Sequence, residues 1–349
     1  MNEDKKPKRY DVVLGGSNPP SIDGLVLGGI EGSKLRFAKA NSDEDKIGIL
    51  KDASKSGEVG EDWLFEILHT ETGETQWIAA VMLSEIANQP YQRLFYQPER
   101  ESNQNQIVSV IKKDTKRTLK PRADLDKILD LVPNNKEQVL VDYFKNLIID
   151  DLEKWNTWRK NYSEHMLYLR GVDLSESDLS SINLSKVNLV QANLHKADLR
   201  ESNLTQSCLC HANLSQANLD EANLNKVDFR KANLQNAKMS GRNIQRSHFG
   251  EANLIEADCY YSCFVGSNFT KANFTKASLI YSDLRKVIIH KTNFYETNFR
   301  RANISGLDFK GLNIRCANFA RSTRTKTNFK GAYFKGAHFR NDYYEPGWE

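Results

Sequence analysis

No run of apolar residues in the 349-residue chain approaches the roughly 20 that a membrane-spanning helix needs, so none is expected. The N-terminus, "MNEDKKPKRYD", mixes charges of both signs with no apolar core behind it, which excludes a standard secretory signal and favours a cytoplasmic location. Cysteine is scarce: Cys208, Cys210, Cys259, Cys263 and Cys316 are an odd set, all beyond residue 200, at spacings unlike a paired C-x-x-C zinc site. They read as free thiols, with no metal and no cofactor expected. Catalytic constellations are lacking too. The seven histidines are scattered, and no H-E-x-x-H, nucleophile elbow or Cys/His pair is present. His195 and His290 read as solvated surface residues. The chain is therefore not expected to be an enzyme, and its function is sought on its surface.

What the sequence does have is a beat of five. From Leu174 to Phe339 every fifth residue is Leu, Phe or Ile, apart from Met239, Cys259 and Arg324, with no insertion or deletion. Two places earlier stands a small or β-branched residue, as at Ala192, Ala212 and Ala232, and Asn or Asp usually lies between. A period of five turns the apolar position by 500° per repeat on a helix, so its stripe would wander around the axis. On a flat strand an odd period flips the apolar residue to the opposite face each time. A chain that turns a corner every five residues satisfies the pattern: the central residue and its small partner face inward together, and successive turns pair as strands.

The stretch "QANLDEANLNKVDF" resembles the pentapeptide-repeat family, A-[DN]-L-x-x, over about half of the chain. The resemblance implies a right-handed, four-sided parallel β-helix with one coil per twenty residues, here a rod on the order of 40 Å long at a strand spacing of roughly 4.8 Å. The solenoid is expected over 166–341, with 342–349 as a tail or cap. Two polar departures, Arg242 and Arg324, are expected to sit in local bulges that turn them outward. Leu307 and Leu312 are oversized for the small position and call for wider packing near the C-terminal end.

A solenoid leaves open strand edges at its ends. Over 134–165 an amphipathic helix is expected, with Leu140, Phe144, Leu147, Ile148, Leu152, Trp155 and Trp158 on one face and Asn134 or Asn135 as its cap. "WNTWRKN" resembles a lead-in found before pentapeptide repeats, so this helix is expected to abut the first coil, or else to bind a partner helix or pair two chains. Residues 1–9 read as disordered and 96–133 as a linker with a possible helix. Residues 10–95 resemble a HEAT-like α-helical module of cyanobacterial proteins, which implies a docking unit; two of its helices meet at Thr72-Gly73 and Ser42 caps a third. Gly28, Gly29, Gly32, Ser33 and Lys34 do not fit the P-loop spacing G-x-x-x-x-G-K-[ST] and read as a turn-rich entry to that module. The fold class is thus α + β and multidomain.

Residues in the same register recur every twenty positions, so one outer corner can be assembled from the sequence. It carries Tyr260, Tyr261, Ile280 and Tyr281, followed by Arg300, Arg301, Arg321 and Arg340. Aromatic and Arg side chains together are what interface hot spots favour, so these eight residues are the candidate protein-interaction site. Charge concentrates nearby: residues 271–340 hold 15 basic and three acidic residues. Nucleic acid or another acidic partner is the alternative, through Arg300, Arg301, Arg315, Arg321 or Lys330. Some pentapeptide-repeat proteins resemble DNA in shape and acidity and bind topoisomerases; the basic solenoid here argues against that role. A spacer or homodimer is the third reading.

Overall fold

The computed structural model describes residues 29–95, 135–161, 163–241 and 243–340, with side chains described from 29 to 87 and from 137 onward. The expectations for 1–9, 96–133, the Asn134/Asn135 cap, Arg242 and 342–349 lie outside these residues. The chain divides into two compact units, Met1–Ala87 and Asn88–Glu349.

The first unit holds α1 (Gly29–Lys39), α2 (Asp43–Ala53), α3 (Glu58–Thr70) and the start of α4 (Gly73–Phe95). Ser42 caps α2 by accepting the Asp45 N–H on its hydroxyl (3.1 Å), as its place before an acidic first turn predicts. The expected turn-rich entry is instead a helix from Gly29. Tertiary packing overrides the weak helix propensity of its glycines, because Phe37 is buried edge-on against Trp63, with ring centroids 5.4 Å apart.

In the second unit the expected single capping helix is two, α5 (Asn135–Asp150) and α6 (Leu152–Asn161). The break lies at Asp151, whose carboxylate accepts the Lys154 N–H (2.8 Å) and so starts a new helix. Phe144, Trp155 and Trp158 form one buried aromatic cluster, with centroids 5.6–6.0 Å apart. The edge β1 (Leu167–Tyr168) pairs in parallel with β2 (Val187–Asn188), twenty residues on, and isolated parallel bridges at the same offset continue to Asn318–His338.

One pentad, Ala212 to Gln216, shows why the sequence pattern takes its form. The Ala212 N–H closes a turn on the Leu209 carbonyl (3.1 Å), and the Asn213 N–H reaches back one coil to Ala192 (2.9 Å). The Leu214 and Gln216 N–H groups reach forward one coil to Asn233 (2.7 Å) and Gln235 (2.9 Å). Only the Ser215 N–H remains, and Asn213 Oδ1 accepts it (3.2 Å). All five amides are paired, which a segment packed this closely requires. An Asn or Asp before the central residue is therefore a backbone ligand, and the Asn amide extends the bonding: Asn213, Asn233 and Asn253 each donate Nδ2 to the Oδ1 one coil back. Asn233→Ala removes the acceptor of the Gln235 N–H and two ladder links. It is expected to cost about 1–3 kcal/mol in denaturant unfolding.

Gln216 has φ of 60°, and so do its equivalents around the solenoid, from 54° to 62° at Lys, Glu, Gln, Arg and Tyr residues. A type II turn requires this conformation at its third residue and usually takes Gly or Asn there. The left-handed backbone costs roughly 1–2 kcal/mol for an L-residue. The intercoil bond that most of these N–H groups donate, as from Gln216 to Gln235, offsets it.

Central side chains fill the tube, with Leu dominating early coils and Phe the late ones. Phe299, Phe319 and Phe339 stack at 4.8 and 5.0 Å, and Phe309 on Phe329 at 5.1 Å. Arg324 does not bulge outward. Its turn closes normally, with Thr327 N–H on the Arg324 carbonyl (3.1 Å), and its guanidinium lies over the Phe339 ring, 5.8 Å from the centroid. It is half-buried in the last described coil, where the charge is not sealed in, and the ring face attracts it.

Candidate protein-interaction face

The outer corner after each central residue of one column is formed by two turn positions, and the coil register stacks them. Tyr261 N–H bonds the Ile280 carbonyl (2.9 Å), Tyr281 N–H the Arg300 carbonyl (3.1 Å) and Arg301 N–H the Ala320 carbonyl (3.0 Å). Each left-handed residue thus sits one strand spacing above the last and projects its side chain from the corner, at φ of 57°, 60° and 58°.

This brings three tyrosines together. Tyr260, Tyr261 and Tyr281 are 46, 43 and 38% exposed, with ring centroids 5.7–6.4 Å apart, within the range of attractive aromatic pairs. Arg301 extends the cluster: its guanidinium lies 5.1 Å from the Tyr281 centroid and donates to the Tyr281 hydroxyl. Arg300 and Arg340 are exposed on the same corner, while Arg321 is half-buried. Ile280, expected as an exposed member, is half-buried. The exposed cluster is therefore aromatic and cationic.

The charge around this corner has a local cause. Earlier in the solenoid an Asp before the central residue grips the Arg after it: Asp198 with Arg200, Asp228 with Arg230 and Asp283 with Arg285, each through three contacts of 2.5–3.0 Å. Hydrogen bonding from Arg200 holds the Asp198 carboxyl below its usual range. In the pentads of Arg300, Arg315 and Lys330 the Asp is replaced by Asn298, Asn313 and Asn328, whose Oδ1 accepts the backbone N–H of that basic residue but carries no charge to grip its side chain. Among the described residues no carboxylate pairs with Arg300, Arg301, Arg315 or Lys330.

Other candidate chemistry resolves less favourably. Cys208 and Cys210 place their sulfurs 3.5 Å apart near Asp228. Burial pushes the Cys210 thiol up, and Asp228 is already held by Arg230, so this trio does not offer a cation the thiolates and free carboxylate it needs. His195 is not a solvated histidine: it is half-buried, and its Nδ1 lies 2.8 Å from Ser215 Oγ.

The twenty-residue coil, the recurrent Asn or Asp cap on the amide two residues on and the packed Leu/Phe column define a specific architecture. The model of a family described as pentapeptide repeats matches in eight copies, the stretches running from residue 168 to residue 341. The chain belongs to the pentapeptide-repeat family. Its repeats form that family's right-handed, four-sided β-helix, preceded by six helices among the described residues. HetL, a pentapeptide-repeat protein involved in heterocyst differentiation regulation in the cyanobacterium Nostoc sp. strain PCC 7120, is 25% identical. Its alignment covers 50% of this chain and 79% of HetL, at a TM-score of 0.35. QnrB1, a plasmid-mediated fluoroquinolone resistance protein, is 16% identical over 49% of this chain and 89% of its own, at 0.38. The pentapeptide-repeat protein Rfr23 of the cyanobacterium Cyanothece 51142 is 23% identical over 39% and 91%, at 0.18. No curated protein sequence matches this pentapeptide-repeat chain. No helix among its described residues is long and apolar enough to cross a membrane.

Proposed function

We propose that this pentapeptide-repeat protein is a non-enzymatic adaptor whose solenoid presents the Tyr260, Tyr261, Tyr281 and Arg301 corner to a protein partner carrying acidic residues. The observation that carries the reading is the exposure of three mutually packed tyrosines beside Arg301 on a rigid edge. Large aromatic area held in place costs little entropy to bury, and Arg supplies directional donors. Arg300, Arg321 and Arg340 extend the surface. The N-terminal helices, read as a HEAT-like docking module, would hold a second partner.

The reading is tested by capturing partners from a source-organism lysate with tagged full-length protein, with and without nuclease. Tyr281→Ala/Arg301→Glu is expected to leave thermal unfolding within about 1 kcal/mol of wild type, since both sites are exposed. Capture of a nuclease-resistant protein should fall at least tenfold, as loss of a hot-spot pair implies. Unchanged capture removes this corner from consideration.

A second reading rests on the uncompensated charge of Arg300, Arg315 and Lys330. If these bind nucleic acid, affinity falls steeply with salt, and each neutralised residue lowers the log–log slope by roughly one. Binding that is indifferent to salt, or none at all, removes it.

A further inference from the structure

Every central amide from Leu174 to Phe319 donates to the carbonyl nineteen residues on, except that of Ile289. The turn amides of Lys286 and Lys291, which by the same rule would reach Ser305 and Lys310, have no backbone partner either, nor does the Asp308 N–H. The Ile288–Asp308 bridge is missing from a column whose other rungs, from Asn188–Cys208 to Asp308–Asn328, are formed. On either side the coils stay joined, by Leu284 N–H to the Asn303 carbonyl and Phe294 N–H to the Asn313 carbonyl, both 2.9 Å. One face of the tube is therefore open as a lens between two coils.

The cause is visible in the sequence. Leu307 and Leu312 occupy consecutive positions where a small residue usually stands, and they line the opening together with Val287 and Ile289, so excess volume in a closely packed coil accounts for the missing bonds. The opening has a volume of about 400 Å³, within the range of small-ligand pockets, and these four aliphatic side chains line it together with Lys291, Asp308 and Lys310. Amides without backbone partners beside an apolar wall are costly unless something accepts from them. The donors here outnumber the acidic groups, since two lysines stand against one aspartate.

We propose that this cleft binds a small organic carboxylate with an apolar body. The carboxylate accepts from the Ile289 and Lys291 amides and is neutralised by the Lys291 and Lys310 ammonium groups, which outweigh Asp308. The body packs on Val287, Ile289, Leu307 and Leu312. Closure of the lens at both ends excludes an extended peptide threading between the coils, which favours a compact ligand.

The probe is hexanoate, with acetate as the charge without the body and 1-hexanol as the body without the charge. Amide hydrogen exchange of the 286–291 segment in the full chain is the readout. Hexanoate is expected to slow it about tenfold, the effect of one or two charge-assisted bonds, while acetate and 1-hexanol at equal concentration leave it near its free rate. No slowing by hexanoate overturns the proposal, and so does equal slowing by 1-hexanol, which would mark a plain apolar seam. In Leu307→Ala/Leu312→Ala the coils are expected to close, so that the segment is protected without ligand and indifferent to hexanoate. If that variant loses protection in neighbouring coils, Lys291→Gln/Lys310→Gln decides: about tenfold weaker hexanoate affinity supports the site, and unchanged affinity overturns it.

Discussion

Trp155→Ala is expected to lower unfolding free energy by about 3–5 kcal/mol and to turn the protein into soluble oligomers. The indole is fully buried between Phe144 and Trp158, and its Nε1 donates to the Asn183 carbonyl (2.9 Å). That bond belongs to a set in which α6 stands in for a missing coil. In the body of the solenoid the carbonyls of positions such as Asn183 and Ser185 accept from amides one coil back. At the first coil no such coil exists. Arg159 Nη2 donates to the Ser185 carbonyl (2.5 Å), Asn156 Nδ2 to the Ser181 carbonyl (3.1 Å), and Asn156 Oδ1 accepts the Asn183 N–H (2.8 Å). Burial lowers the Arg159 guanidinium to about 10, so it stays charged at neutral pH while spending its donors on the edge. Without the cap the edge is a template for pairing with a second chain. Denaturant unfolding and light scattering measure the two effects; a stable monomeric variant would show that α6 is merely appended.

Phe269→Ala is expected to cost a similar amount, about 3–5 kcal/mol, with a different pattern. Its ring is fully buried among Phe249 (5.5 Å), Phe264 (5.1 Å) and Phe274 (4.6 Å). Phe249, Phe264 and Phe274 are each held by a coil-to-coil backbone bond and relax little into the space, so the cavity cost adds to the lost transfer energy. Because each coil contacts only its neighbours, the loss should be local. Hydrogen exchange should accelerate in coils around 249–289 while amides near Leu194 keep their protection. Uniform acceleration would mean that the rod unfolds as one cooperative block.

The two halves of the chain differ in how readily they could be read. The beat from Leu174 to Phe339 was legible because every pentad repeats one physical solution, so many residues report the same geometry. Errors arose where a single contact decided. The residues after Gly29 looked like a turn and are a helix because Phe37 meets Trp63, and the lead-in looked like one helix and is two because of the Asp151 carboxylate. Arg324 looked like a bulge, yet its place in the last described coil lets it lie over Phe339 in register.

The candidate face divides the same way. Twenty-residue registration places Tyr260, Tyr261, Tyr281 and Arg301 on one corner, since stacking follows from counting. Side-chain depth does not, which is why Ile280 was counted as exposed and His195 as solvated.

Local chemistry repeated at a fixed period was thus determined by the sequence alone: the coil, its inward residues, and the oversize of Leu307 and Leu312. Whether that excess volume would bend a turn, widen the whole rod or wedge neighbouring coils apart on one face was decided only by tertiary packing. Bulk at the small positions next to this seam is accommodated there, where the intercoil bonds of Lys286, Ile289 and Lys291 are not formed.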